Sequence, residues 1–317
     1  MNDFEREQIE SIKAEAQAQE YEGKREVGEV VEDRFGAHAS KLITDSIAVI
    51  VLTALAVSFM IPIAAVIMNS FKKKSALPAG KGKAFDLINK DTYNGFQNYK
   101  DGMKAVGMSS AIKNSFLITI IAVLVLVFLT SMTAWYLVRV KTVLTSIVYY
   151  GFVFSMIVPF QMVMCSMSLL SYDLGLATIQ GLVLLYVGFG AGMCVFMFSG
   201  FVKSIPLEIE EAAMIDGCNP IQTYFRVVFP MLKPIIVTVS ILETMWVWND
   251  YLLPKLTLPT DIKTIPIAIE ACTASHGVTE IGWLMAMLVI AIIPIVIFYL
   301  ACQKHIIRGV AAGAVKG

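Results

Sequence analysis

The sequence predicts an all-α membrane protein with six transmembrane helices, and three observations predict it. Of its 317 residues, 57% are apolar and 16% charged, whereas soluble domains carry about a quarter charged residues. The apolar residues are gathered into blocks, with a mean hydropathy of +0.70 for the chain. Six blocks, 45–68, 115–138, 143–168, 178–202, 234–254 and 281–303, are long enough for helices of about 20 residues crossing roughly 30 Å of hydrocarbon. Strands of an outer-membrane barrel would instead alternate over about ten residues, and the polar remainder is too small for a separate soluble domain.

Residues 1–44 form a polar extension, "FEREQIESIKAEAQAQEYEGKREVGEVVED" within it, rich in Glu, Gln, Ala and Lys. It reads as a solvated cytoplasmic tail without chemistry of its own. The block at 45–68 follows this extension and has no small-residue cleavage site, so it is expected to be a retained span and not a signal peptide. The 69–114 segment is assigned as an external loop, although its "KKKSALPAGKGK" opposes the rule that bases collect on the cytoplasmic side. The short loops obey that rule: Arg139 and Lys141 follow the second span, and Lys203, Arg226 and Lys233 lie in or beside the fourth-to-fifth connection, whereas "SYDLGLAT" has no base. Both termini are therefore placed in the cytoplasm.

In the third span, Pro159 with Gln161 marks a kink lined by a polar side chain. The Gly188-x-x-x-Gly192 spacing of the fourth span points to close helix packing. Cys165, Cys194, Cys218, Cys272 and Cys302 are scattered without metal spacing, and a disulfide framework is not expected. His38, His276 and His305 lie far apart with no companions at ligand spacing, so no metal site is expected and a membrane enzyme is disfavoured. A net charge near zero gives no reason to expect nucleic acid.

The polar interruption between spans four and five, "SIPLEIEEAAMIDGCNPIQTYFRVVFPMLKP" at 204–234, reads as two short helices around a turn. Ser204 and Pro206 start the first, with Glu208, Glu210 and Glu211 near its positive N-terminal end. Gly217 stands just past its end, where left-handed geometry is cheap for glycine. Asn219 and Pro220 start the second as cap and first turn. Its apolar face is expected to be Ile221, Tyr224, Phe225 and Val228, at helical spacing. From periodicity alone the segment is either an interfacial hairpin joining two spans or a docking element.

"EEAAMIDGCNPIQTYFRVVFPMLKP" resembles the EAA loop of ABC importer permeases. Glu211, Ala212, Ala213, Asp216, Gly217, Phe225, Pro230 and Pro234 fall on positions of that pattern, with Cys218 where a small residue is common. "NSFLITI", "TAWYLVRVK", "IVPFQMVM", "VWNDYLLPKLTL" and the terminal "IRGVAAGAVKG" are similar to the sugar-importing branch, of maltose or multiple-sugar type. Ala311 stands where that terminal motif has threonine. The resemblance covers roughly 110–317, so that 115–317 would be a permease core of the type I ABC importer fold.

The resemblance implies that this chain is the transport subunit of an importer in a bacterial cytoplasmic (inner) membrane. Its partners would be two ATP-binding ABC subunits, a second and different sugar permease, an extracytoplasmic solute-binding protein, the sugar substrate and the lipid bilayer. It implies that Glu210, Glu211, Ala212, Ala213, Asp216, Gly217 and Arg226 couple the chain to the ATPase. It also implies that Gly313, Ala314, Val315, Lys316 and Gly317, in the cytoplasmic tail 304–317, reach the ATPase pair. No cofactor is expected in this chain, with ATP and Mg held by the partner ATPase.

Glu243 lies nine residues beyond Pro234, about 13 Å along a helix and so near mid-membrane. It is read either as an interhelical hydrogen-bonding group or as a hydroxyl-binding group in the sugar path, because a carboxylate at that depth is functional by default. Trp246, Trp248, Asn249, Asp250 and Tyr251 combine flat rings with polar groups, suited either to a sugar path or to an interfacial aromatic belt. Gln161 joins them as a path candidate. No GxxxxGK[ST] occurs, so ATP hydrolysis belongs elsewhere. The alternatives are an ABC importer for a non-sugar solute and a proton-coupled secondary transporter using Glu243.

Overall fold

The computed structural model describes residues 44–77, 82–274 and 280–314, with the side chains of 274 and 305–314 outside that description. The chain divides into two units, 1–64 and 65–317. The extension before residue 44, His38 and His276, the side chain of His305, and Val315, Lys316 and Gly317 lie outside the described residues.

Helix α1, Thr44–Ser70, is the first apolar block. Within the second unit, the 69–114 segment turns out to contain helix α2, Gln97–Val106. Asn98 fixes its start by donating to the Ser70 and Lys72 carbonyls, both at 2.8 Å. Gly107 then turns the chain in the left-handed conformation, φ +69°, and helix α3 runs from Met108 to Arg139. This span begins seven residues before the predicted block (115 − 108 = 7), because "MSSAIKN" is helix-compatible although too polar to register as apolar.

The predicted third span, 143–168, is two helices. They are α4, Val143–Ile157, and α5, Phe160–Asp173, bent by 104° at the break. The cause is Pro159, which holds Val158 in an extended conformation (ψ 114°) and cannot donate to the preceding turn. Thr178 caps α6, Ile179–Val202. Then come the short α7, Leu207–Ile215, and the segment α8, Pro220–Met231, which is bent by 74° against α9, Lys233–Asn249. Asp250, extended at ψ 126°, ends α9 before the predicted limit of 254. After the short α10, Leu252–Thr257, and α11, Ile265–Ala274, helix α12 runs from Ile281 to Ala314 with Pro294 inside it. Among the described residues, four single helices are long and apolar enough to cross a membrane, and up to six spans result if each bent pair is one.

Helix association in lipid depends on close van der Waals packing more than on burial from water. The core formed by α3, α6, α8 and α9 shows it: Leu126, Cys194, Phe198, Tyr224, Val228 and Leu232 are essentially buried. Close approach comes from Gly192 of the predicted pair and from Gly190, but not from Gly188. A Cβ at Gly192 would lie 2.6 Å from the Phe152 carbonyl oxygen on α4, and one at Gly190 would lie 3.1 Å from Leu126, whereas one at Gly188 would meet nothing within 4 Å. Gly192→Ala should therefore destabilise the detergent-solubilised protein by about 1–3 kcal/mol through overpacking, and Gly188→Ala should leave its melting temperature nearly unchanged.

Candidate functional site

Two regions hold most of the predicted functional residues, and the first is the hairpin between α6 and α9. Helix α7 starts after Pro206, with Glu208 and Glu210 in its first turn. Gly217 closes it at φ +87°, and the Cys218 amide bonds back to the Ala213 carbonyl at 3.0 Å. Asn219 caps α8 by accepting from the Gln222 amide, while Gln222 accepts from the Asn219 amide, a reciprocal capping box. Pro220 occupies the first helical position, as the sequence predicts.

Past that first turn α8 departs from expectation. Tyr224–Val228 is π-helical, which rotates the side chains relative to a regular helix. The buried residues are Thr223, Tyr224 and Val228, while Ile221 and Phe225, placed on the apolar face by spacing, are 70% and 42% exposed.

The hairpin is gripped by the C-terminal end of α3. The Arg139 guanidinium donates to Glu210 Oε1 through Nε at 2.9 Å and Nη2 at 2.7 Å. Nη2 also donates to the Ile205 carbonyl at 2.9 Å. Trp135 Nε1 donates to the other carboxylate oxygen at 2.9 Å. One turn earlier, the hydroxyls of Ser131 and Tyr224 are 2.8 Å apart, and the Tyr224 ring packs against Trp135 with centroids 5.3 Å apart. Ser131, Trp135 and Arg139 lie four residues apart and so share one face of α3.

Glu210, one of the residues assigned to coupling, is buried, and its oxygens are occupied within the chain. Glu211, Ala212, Asp216, Gly217 and Arg226 are exposed, and Ala213 is buried. Sequence reading missed Arg139 as a hairpin ligand, because a base at a span's end already had an explanation in membrane topology. The Trp135-x-x-x-Arg139 spacing was the available signal.

The second region is the far half of α9. Glu243 is buried, at 3% exposure. The Cys194 thiol on α6 donates to its Oε1 at 3.1 Å, and its Oε2 has no partner. Oε2 would lie 3.0 Å from a Cβ at Gly190, so the carboxyl faces the α6 contact, enclosed within the bundle. Trp246 and Asp250 meet through Tyr186, which was not foreseen. The tyrosine hydroxyl donates to Asp250 Oδ2 at 3.0 Å, and Trp246 packs edge-on at 5.4 Å. Trp248 points elsewhere, onto Phe116 of α3 at 4.8 Å, and with it lines a cavity of about 340 Å³ between α3, α9 and α12. Asn249 is exposed and donates to the Met245 carbonyl of its own helix, and Gln161 is exposed in the first turn of α5. The path candidates thus do not converge on one spot.

Beyond α9, the Lys255 ammonium lies 2.6 Å from Glu270 Oε2 and holds that carboxyl below its ordinary value. The pair is exposed, and such pairs contribute little to stability. Among the described residues no group of three or more His, Cys, Asp or Glu is arranged to hold a metal ion.

A family model described as "Binding-protein-dependent transport system inner membrane component" matches residues 127–312, from mid-α3 through the hairpin to the chain's last segment. Similar proteins include the "Probable starch degradation products transport system permease protein AmyC" of Thermoanaerobacterium thermosulfurigenes, 36% identical over 269 residues, covering 84% of this chain and 94% of the relative. The "Multiple sugar-binding transport system permease protein MsmG" of Streptococcus mutans is 33% identical over 272 residues, covering 84% and 95%. Among solved structures, one chain of a bacterial ABC transporter involved in the import of the acidic polysaccharide alginate superposes with a TM-score of 0.67 at 22% identity. That match covers 84% of this chain and 97% of the other, a likeness of fold.

Proposed function

The chain belongs to the binding-protein-dependent transport system inner membrane components, and on that premise we propose that it is the permease subunit of an ATP-driven importer for a sugar or oligosaccharide. It forms the translocation path with a second, different permease, receives solute from an extracytoplasmic binding protein, and has both termini in the cytoplasm. Two ATP-binding subunits hydrolyse ATP with Mg, and this chain carries no cofactor. The observation that carries the reading is the hairpin of α7 and α8, closed by a positive-φ glycine and turned so that Glu211, Ala212, Asp216 and Arg226 are exposed toward a docking subunit. The small side chain of exposed Ala212 allows close approach there. Sugar as the solute class is supported by the relatives named for starch degradation products and for multiple sugars.

The tail from Gly313 to Gly317 adds a second contact to the ATPase pair, because Gly and Ala permit a backbone to enter a narrow crevice. Of the path candidates, Trp248 with the cavity beside it is the best placed for solute, while Glu243 is a packing group between helices.

The experiment is uptake into proteoliposomes holding the complete complex, with malto-oligosaccharides, raffinose-type sugars and a non-sugar osmolyte as candidate solutes. Accumulation of one sugar that needs both internal ATP and the binding protein is expected. Uptake driven by a pH gradient without ATP would overturn the reading.

A further inference from the structure

Beside the apolar packing of Tyr224 and Val228 in the core shared with α6, the hairpin is joined to the rest of the chain by three routes. The covalent link to α6 passes through the irregular Lys203–Pro206 stretch. The covalent link to α9 passes a 74° bend just after a π-helical turn, and π segments are sites of local irregularity. The third route is the grip of α3. Among the described helices of at least eighteen residues, α1 contains Pro62, α6 several glycines and α12 Gly282 and Pro294, whereas the 32 residues of α3 include neither Gly nor Pro. At 1.5 Å per residue α3 is an uninterrupted rod about 48 Å long.

The two ends of that rod meet different things. Toward its N-terminus, Phe116, Thr119 and Ile120 line the cavity shared with Trp248. At its C-terminus, Arg139 and Trp135 hold Glu210 on the first arm of the hairpin, and Ser131 with Trp135 holds Tyr224 on the second. The ion pair is shielded, with side-chain exposures of 17% and 3%, so water competes poorly for it. Both arms are tied to one face of one helix, and displacing the hairpin without displacing α3 would break a buried charge pair.

We infer that α3 is the rod that carries hairpin motion to the cavity, and that Ser131, Trp135 and Arg139 are positioning residues that make hairpin and rod move as one body. This rests on the reading of the chain as the permease of an ATP-driven importer. Loosening the grip should leave docking and ATP hydrolysis possible while wasting strokes, so the quantity that changes is the number of ATP molecules hydrolysed per solute imported.

The test uses the complete reconstituted complex with binding protein and sugar. Arg139→Lys keeps a cation but cannot bond the carboxylate and the Ile205 carbonyl together as the planar guanidinium fork does, and Tyr224→Phe removes a single hydroxyl. Arg139→Lys is expected to raise ATP consumed per sugar at least about threefold and Tyr224→Phe by a smaller factor, with the amount of assembled complex near wild type. The exchange Arg139→Glu with Glu210→Arg should recover part of the ratio lost on Glu210→Gln. A ratio unchanged in both conservative variants overturns the inference, as does assembly lost in them without any change of ratio. A wild-type complex whose ATP hydrolysis ignores sugar and binding protein would instead overturn the underlying reading, so the two failures are distinct.

Discussion

Replacing Gly217 by valine is expected to cut ATP-driven sugar uptake about tenfold while leaving the amount of protein in the membrane little changed. A Cβ at this position would meet nothing within 4 Å, so the substitution creates no clash. Its whole effect comes from φ +87°, a region that a β-branched residue enters at a cost of about 1–3 kcal/mol. The spans on either side do not share that strain, so insertion proceeds, but the turn between α7 and α8 relaxes and the exposed groups around Asp216 lose their relation to one another. One unit of 1.36 kcal/mol is a factor of ten in the population of the native turn. Gly217→Asn, which tolerates left-handed geometry, should keep most activity. Full transport by the valine variant would show that the turn's shape is irrelevant to coupling.

The second large effect is expected at Glu243. Glu243→Lys should remove assembled, active complex from the membrane, because an ammonium in the enclosed space between α6 and α9 costs about 2.5–3.5 kcal/mol and finds Cys194 and Gly190 as its neighbours. Glu243→Gln retains an acceptor for the Cys194 thiol and should assemble and transport sugar with near-normal apparent affinity. Membrane-fraction immunoblots and uptake assays read both. A large change of sugar affinity in the glutamine variant, with assembly intact, would return Glu243 to the solute path.

What was legible in the sequence follows the range of the interactions concerned. Gly217, Asn219 and Pro220 were readable because a positive-φ turn, a capping box and a first-turn proline involve residues within about four positions of one another. Pro159 was readable as an interruption, but the 104° between α4 and α5 depends on what each half packs against. The adjacent carboxylates Glu210 and Glu211 could not be told apart, because neighbours on a helix point about 100° apart and the element facing α7 was unknown. Its partner Arg139 is 71 residues away in sequence. The same holds for Cys194 and Glu243, 49 apart, and for Tyr186 and Asp250, 64 apart. At α8 periodicity placed Tyr224 and Val228 correctly on the buried face but not Ile221 and Phe225, which are exposed, and it missed Thr223.

The central claim, that the exposed tip of the α7–α8 hairpin is the cytoplasmic contact for the ATP-hydrolysing subunit, is tested most directly by thiol labelling of Asp216→Cys. Native cysteines are replaced in that variant, and the membrane-impermeant maleimide is applied from either side of the membrane. Labelling is expected only from the cytoplasmic side in membranes holding the permeases alone, and strong protection is expected once the ATPase subunits are bound. Labelling from the outer side, or equal labelling with and without the ATPase, would contradict the account.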